Sequence, residues 1–205
     1  MTASSNHTNV GTVSGPIGTG WTEFSPPSKL QVETHDEIRE FPGDTTSITN
    51  GGGRYTNSGG IETFELVSNE SNRVERRFTD DYSSGRRQFQ ADITIFPPSD
   101  NETVHQIFNG PAGPWLLMPV ERTSGGSIRL GGGTSSALLA TGLYGKSFRL
   151  NTINDISGET QVYIDGVLKA TLKHPGGSFY TKYGCYGTLR TASAKIEFSN
   201  VKMFK

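Results

Sequence analysis

At 205 residues the chain is long enough for one domain with a real core, and a formal charge of −1 gives it no overall field to gather a polyanion. Only 32% of its residues are apolar, while 26 are glycine and 10 proline, a balance that suits an all-β protein with many turns. No run is long or apolar enough to span a membrane as a helix, and the single cysteine, Cys185, excludes an internal disulfide.

Residues 1–20 are Ser, Thr, Asn and Gly with little to bury, and read as a flexible or irregular segment ahead of one domain over 21–205. They contain no apolar run of the signal-peptide kind, so the sequence leaves the compartment open: cytoplasmic, or secreted if a leader has been removed. Asn6, Asn69 and Asn101 each begin a glycosylation acceptor triplet, which chance explains in a chain this rich in Asn, Ser and Thr. Trp21–Leu30 mixes aromatic anchors with prolines and reads as an extended strand laid on a sandwich. Gln31–Glu40 is charged with a weak helical spacing, ended by Phe41-Pro42-Gly43-Asp44. Gly51–Gly53 and Gly59–Gly60 mark loops. No Gly-Lys-Ser/Thr follows them, so they are not a phosphate-binding loop.

Beyond Gly60 the strand signals become regular. Ile61–Val67, Asn72–Phe78, Arg87–Phe96, Thr103–Phe108 and Trp115–Val120 are predicted strands, followed by Ser127–Leu130, Ala137–Ala140 and Ser147–Ile153. In Arg87–Phe96, Phe89, Ala91, Ile93 and Ile95 alternate with Gln88, Gln90, Asp92 and Thr94, the mark of a strand buried on one face. Thr160–Ile164 and Val167–Leu172 flank Asp165-Gly166, a two-residue hairpin turn. Phe179–Gly187 and Ala194–Phe204 close the chain. Many short strands and almost no helix point to an all-β sandwich.

Three strands carry polar residues where a core face would be apolar. Phe179–Gly187 sets Tyr180, Lys182, Gly184 and Tyr186 on one face, and Gly184 leaves room for something to approach the backbone. Asn72–Phe78 sets Arg73, Glu75 and Arg77 on one face, and Thr103–Phe108 sets Gln106 with Val104 and Phe108. Arg73, Arg76, Arg77, Arg86 and Arg87 fall close together, either as a solvated basic edge or as a patch facing a polyanion.

Arg-x-Glu-x-Arg, then Gln-Ile-x, then Tyr-x-Lys-x-Gly-x-Tyr, in that order over residues 60–205, resembles the alginate-lyase-type polysaccharide lyases and the related glucuronan lyases. It is also similar to plant citrate-binding proteins. The resemblance implies a β-jelly-roll sandwich of the concanavalin A-like kind, with a concave groove, and cleavage of a uronic-acid polymer by β-elimination. Arg73 and Gln106 would neutralise the sugar carboxylate by hydrogen bonds. Tyr186 holds the position of the family's tyrosine, which takes the C5 proton and protonates the leaving oxygen. It can do both where cations steady its phenolate, and Arg77 and Lys182 are the candidate cations. Tyr180 would be a second groove tyrosine, and Glu75 would orient Arg73 or Lys182. The family has a histidine, a proposed base, where this chain has Phe108. That departure leaves the route in which one tyrosine works on one sugar face, which suits glucuronan or polymannuronate rather than polyguluronate.

A non-catalytic carbohydrate-binding protein, a lectin using the same groove, stays open beside this reading. Trp21, Trp115, Tyr144 and Phe179 are its candidates for stacking on sugars. Either way the expected partner is an acidic polysaccharide or oligosaccharide, with no nucleic acid, no membrane and no required cofactor. His35 and His174 are unplaced. Asp80-Asp81 and Asp100-Asn101-Glu102 could hold a structural calcium. The sequence gives neither the oligomeric state nor the mode of attack along the polymer.

Overall fold

The computed structural model describes residues 15–35, 37–132 and 136–205. In chain order the strands are β1 (Glu23–Phe24), β2 (Ser28–Thr34), β3 (Glu37–Pro42), β4 (Ser47–Asn50), β5 (Gly53–Ser58), β6 (Ile61–Leu66), β7 (Arg73–Phe78), β8 (Arg86–Phe96) and β9 (Thr103–Asn109). They continue as β10 (Pro114–Glu121), β11 (Ser127–Arg129), β12 (Gly131–Gly132), β13 (Leu138–Thr141), β14 (Ser147–Asp155), β15 (Glu159–Ile164), β16 (Val167–Lys173), β17 (Phe179–Tyr186) and β18 (Ala194–Phe204). Two short 3-10 turns lie at Gly110–Ala112 and Thr123–Gly125. No helix among the described residues is long and apolar enough to cross a membrane.

The strands form two antiparallel sheets. Sheet I runs β16-β15-β14-β8-β18-β6-β5-β4, with β1 beside β18; sheet II runs β13-β11-β10-β9-β17-β7-β2-β3, with β12 beside β10. Each sheet joins hairpins of consecutive strands, such as β14-β15-β16 and β2-β3, through neighbours distant in sequence, such as β8-β18 and β7-β17. The period-two alternation of β8 does what the sequence predicts. Phe89, Ala91, Ile93 and Ile95 are buried inward, against Val74, Tyr183, Ile107 and Leu116 of sheet II. Tyr183 is the hub, with ring centroids 5.0–5.7 Å from Phe64, Phe78, Phe89 and Phe198. Each such ring contributes about 1.5–3 kcal/mol through burial alone.

The hairpin at Asp165-Gly166 forms with both residues at positive φ, 50° and 76°, as a two-residue type I′ turn demands. Two other expectations fail. Gln31–Glu40 is no helix: β2 and β3 pair from Lys29↔Pro42 to Thr34↔Glu37. The deciding pattern is Leu30 and Val32, fully buried, between the outward Lys29, Gln31 and Glu33. Trp21–Leu30 is not one strand but a bridge, with β1 on sheet I and β2 in sheet II. The Gly51–Gly53 turn joins β4 to β5, two strands that composition conceals. Residues 15–20 are irregular and tied down: Ile17 exchanges hydrogen bonds with the Gln88 side chain, and Arg86 Nη2 donates to the Thr19 carbonyl. The Asn6 triplet and the rest of 1–14 lie outside the described residues.

Candidate active site on sheet II

The outer face of sheet II gathers every predicted site residue. Register places Lys182 beside Arg77 and Gln106, Gly184 beside Glu75, and Tyr186 beside Arg73. β2 adds Gln31 opposite Glu75 and Glu33 opposite Arg73.

Glu75, 1% exposed, is the centre. One carboxylate oxygen accepts from Lys182 Nζ at 2.9 Å and lies 3.2 Å from Arg73 Nε; the other accepts from Gln106 Nε2 at 2.6 Å. Lys182 also donates to Gln31 Oε1 at 2.9 Å, and Gln31 Nε2 donates to Glu40 at 2.8 Å. Burial lowers the Lys182 ammonium's affinity for its proton, and the Glu75 carboxylate works against that.

Arg73 is held from one side. Its Nε lies 3.2 Å from Glu33 as well as from Glu75, and its guanidinium lies over the Tyr186 ring, 4.7 Å from the centroid. Among the described residues no group is bonded to its Nη atoms. Arg77 lies over Tyr180, 4.1 Å from the centroid, and makes two 2.8 Å bonds to Asp81. Tyr180 stacks on Phe108 at 5.0 Å with planes 6° apart, and Lys182 Nζ lies 5.1 Å from the Phe108 centroid. Burial pushes the Tyr180 phenol up despite Arg77.

Several expectations change on this face. The cation at Tyr186 is Arg73, while Arg77 serves Tyr180 and Lys182 serves Glu75. Gln106 is 1% exposed and turned to Glu75, with one N–H spent there. The gap at Gly184 is filled by the chain itself: a Cβ there would stand 2.6 Å from the Val74 carbonyl and 2.7 Å from Glu75 Cα, at φ +142°. The five arginines do not share one face. Arg73, Arg77 and Arg87 pair with Glu33, Asp81 and Asp80, Arg76 turns inward to Glu62, and Arg86 caps Thr19.

The stacking candidates lie elsewhere. Phe179 is fully buried, Trp115 donates to Thr160 and packs on His174, the Tyr144 hydroxyl donates to the Ser99 carbonyl, and Trp21 sits on sheet I. His105 faces inward on Phe89, its pKa pushed down to about 3 by burial. His35 is exposed in the β2–β3 turn, and His174 packs at the sandwich end against Trp115 and Phe179. Asp80 and Asp81 are taken by arginines, and no group of three or more His, Cys, Asp or Glu converges among the described residues. Gln31 and Glu33 are the site residues that the sequence reading missed; the Lys29/Gln31/Glu33 alternation with Leu30 and Val32 was the available signal.

No family model matches the chain. In sequence it is 28% identical over 151 residues to a citrate-binding protein from Hevea brasiliensis, covering 69% of this chain. The match spans 60% of that relative's length. Among solved structures, an alginate lyase from Pseudomonas aeruginosa superposes with a TM-score of 0.69 at 16% identity, over 86% of this chain and 97% of that one. The alginate lyase AlgAT5 of polysaccharide lyase family 7 gives 0.68 at 18%, over 88% and 95%. The alginate lyase AlyC3 in complex with dimannuronate gives 0.68 at 13%, over 87% and 89%. The fold is that of the family 7 alginate lyases. At these identities the likeness concerns the fold, and chemistry must be argued from the side chains.

Proposed function

We propose that the outer face of sheet II binds a β-1,4-linked uronic-acid polymer, glucuronan or polymannuronate-like, and cleaves it by β-elimination. The observation that carries this is Arg73. Glu33 and Glu75 each place a carboxylate oxygen 3.2 Å from its Nε, its guanidinium lies over Tyr186, and its Nη pair has no hydrogen-bond partner among the described residues. A guanidinium anchored in that way is preorganised to take a carboxylate on its free edge. The dimannuronate bound by AlyC3 is a ligand of this chemical class.

A uronate carboxylate on the Arg73 Nη groups puts the sugar over Tyr186. Acting as the base, with Arg73 over its ring, Tyr186 takes the C5 proton onto its oxygen. The electron pair of the C5–H bond forms the C4=C5 double bond, the C4–O bond breaks, and the Tyr186 phenol returns the proton to the departing oxygen. Charge that builds on the sugar carboxylate meets Arg73 and the second Gln106 N–H. Phe108, stacked on Tyr180, occupies the place of a second base, so proton removal and return stay with one residue on one sugar face. Tyr186→Phe keeps the ring under Arg73 and removes the hydroxyl. It is expected to abolish the ultraviolet absorbance of the unsaturated product while affinity for the polymer stays within about twofold. Normal cleavage by this variant overturns the assignment.

A second reading has its own observation. Each cation of this face has a carboxylate partner on the same face, and Gln106 is already spent on Glu75. A site so balanced suits an acidic-sugar binder that does no chemistry. A flat absorbance trace on glucuronan, polymannuronate and polyguluronate, with binding that Arg73→Ala removes, selects it.

A further inference from the structure

On the opposite side of the molecule, the outer face of sheet I carries a groove of about 580 Å³. Its floor is Ile153 and Asp155 of β14, and its far wall is Glu159, Gln161 and Tyr163 of β15. Its near wall is the irregular segment around Trp21.

That segment is built in. Gln88, fully buried, donates to and accepts from the Ile17 backbone; Arg86 holds the Thr19 carbonyl; and Thr22 donates to the Lys205 carbonyl at 2.9 Å. Trp21 Nε1 donates to the Ile17 carbonyl at 2.7 Å, so its one polar atom is used internally. Arg86 backs the indole, 4.0 Å from a ring centroid. The indole is thereby fixed as an apolar wall.

Opposite it runs a ladder of oriented polar groups. Tyr163 hydroxyl donates to Gln161 Oε1 at 2.8 Å, Gln161 Nε2 donates to Glu159 Oε1 at 2.7 Å, and Lys173 Nζ donates to Glu159 Oε2 at 2.5 Å. Each member keeps capacity to spare: a second N–H on Gln161, lone pairs on Tyr163 and Glu159. The two cations at this groove face its carboxylates, Lys173 paired with Glu159 and Arg86 bearing on Asp155 while it donates to Thr19 and backs the indole. Two carboxylates, Asp155 and Glu159, remain as acceptors, and the Ser157 N–H and the Lys173 ammonium hold them below the usual carboxylate range.

An aromatic wall facing a row of fixed donors and acceptors is what a sugar ring needs, with one apolar face and an edge of hydroxyls. We propose that this groove is a second carbohydrate site, separate from the face carrying Arg73, and that its ligand is a neutral oligosaccharide. A uronate would bring a third negative charge to two carboxylates and two cations that already balance; hydroxyl groups meet acceptors and donors alike.

The test is calorimetric titration of the full chain with cellohexaose, mannohexaose and maltohexaose, with intrinsic tryptophan fluorescence followed in parallel. Binding of at least one is expected, with a fluorescence change from Trp21. Trp21→Ala should weaken it about tenfold or more. Gln161→Ala, a change on an exposed sheet face that leaves the core untouched, should weaken it about three- to tenfold. Arg73→Ala should leave it unchanged. The proposal is overturned if none of the three sugars binds, if both groove variants bind like wild type, or if Arg73→Ala removes the binding. Cleavage of acidic polymers by Tyr186 is read separately by absorbance, so either result stands without the other.

Discussion

Arg73 and Arg76 stand on opposite faces of β7, and each meets a glutamate and a tyrosine. Arg76 points between the sheets, where its Nε and both Nη groups reach Glu62, Tyr55, Ser28 and the Gly43 carbonyl, so that all five N–H groups are used. Tyr183, fully packed in the core, donates to the other Glu62 oxygen, and burial followed by the Glu62 charge keeps its phenol protonated. Arg73 points outward, with Glu33 and Glu75 at ion-pair distance from its Nε, and among the described residues its Nη groups make no hydrogen bond. A saturated buried network is structural, because a ligand could enter only by breaking what is already made. An anchored but unsaturated one leaves donors open to a ligand.

The largest effect should come from breaking the saturated member. Arg76→Ala leaves Glu62 buried and charged between the sheets, and is expected to cost about 3–5 kcal/mol in denaturant unfolding. Arg76→Met with Glu62→Leu removes both charges together and should recover most of that loss. Arg73→Ala has the opposite signature. Unfolding changes by about 1 kcal/mol or less, since Glu33 is part-exposed and the buried Glu75 keeps Lys182 and Gln106, while turnover of the acidic polymer falls about 10²–10³-fold. If Arg73→Ala destabilised as Arg76→Ala does, the contrast between the two faces would collapse.

Which face each arginine takes was legible in the sequence. Period two puts Arg73, Glu75 and Arg77 together and sends Arg76 the other way, and the same rule isolates Tyr180, Lys182 and Tyr186. What was not legible is who touches whom. Arg73 meets Glu33 and Tyr186 only because β2 and β17 flank β7 in that register, and register is set by pairing between segments far apart in the chain. Hence Arg77 and Lys182 were assigned to Tyr186, which Arg73 in fact covers. The edges were hard for another reason. β3 is exposed along nearly its whole length, and β4 and β5 bury little beyond Ile48 and Tyr55, so few apolar residues mark their period.

Glu102 extends the comparison to a carboxylate with no partner at all. It is fully buried behind the end of β17, both oxygens lack a hydrogen bond among the described residues, and burial pushes its pKa up to about 7. The backbone N–H groups of Glu102 and Asp100 and the Arg190 charge oppose the shift, and the Asp100 charge adds to it; Tyr144 and Cys185 also face it. The unfolded chain gives up this proton near the ordinary carboxylate range, so stability is greatest in acid. It falls as the pH rises toward 7 and is level above that. Glu102→Gln should therefore change little at low pH and gain at most about 3 kcal/mol in alkali, read as unfolding midpoints across the pH range.

The smallest effect concerns Asp81, the exposed counterpart of Glu33. It grips Arg77 with both oxygens, so Arg77 differs from Arg73 in having its outer edge occupied rather than free. An exposed pair of this kind contributes about 0–1 kcal/mol to folding, and Asp81→Asn should move the unfolding midpoint no further than that. Its consequence belongs to binding. Removing one negative charge beside the Tyr180–Phe108 stack frees a second guanidinium edge and tips a balanced face positive. Affinity for an acidic oligosaccharide should rise severalfold at low salt, with the gain shrinking as salt screens the charge. A neutral oligosaccharide should show no such gain. If the acidic ligand bound Asp81→Asn no better than wild type while Arg73→Ala still weakened it, the acidic polymer would run past Arg73 without crossing Tyr180, and its path would turn toward β2 and Glu33.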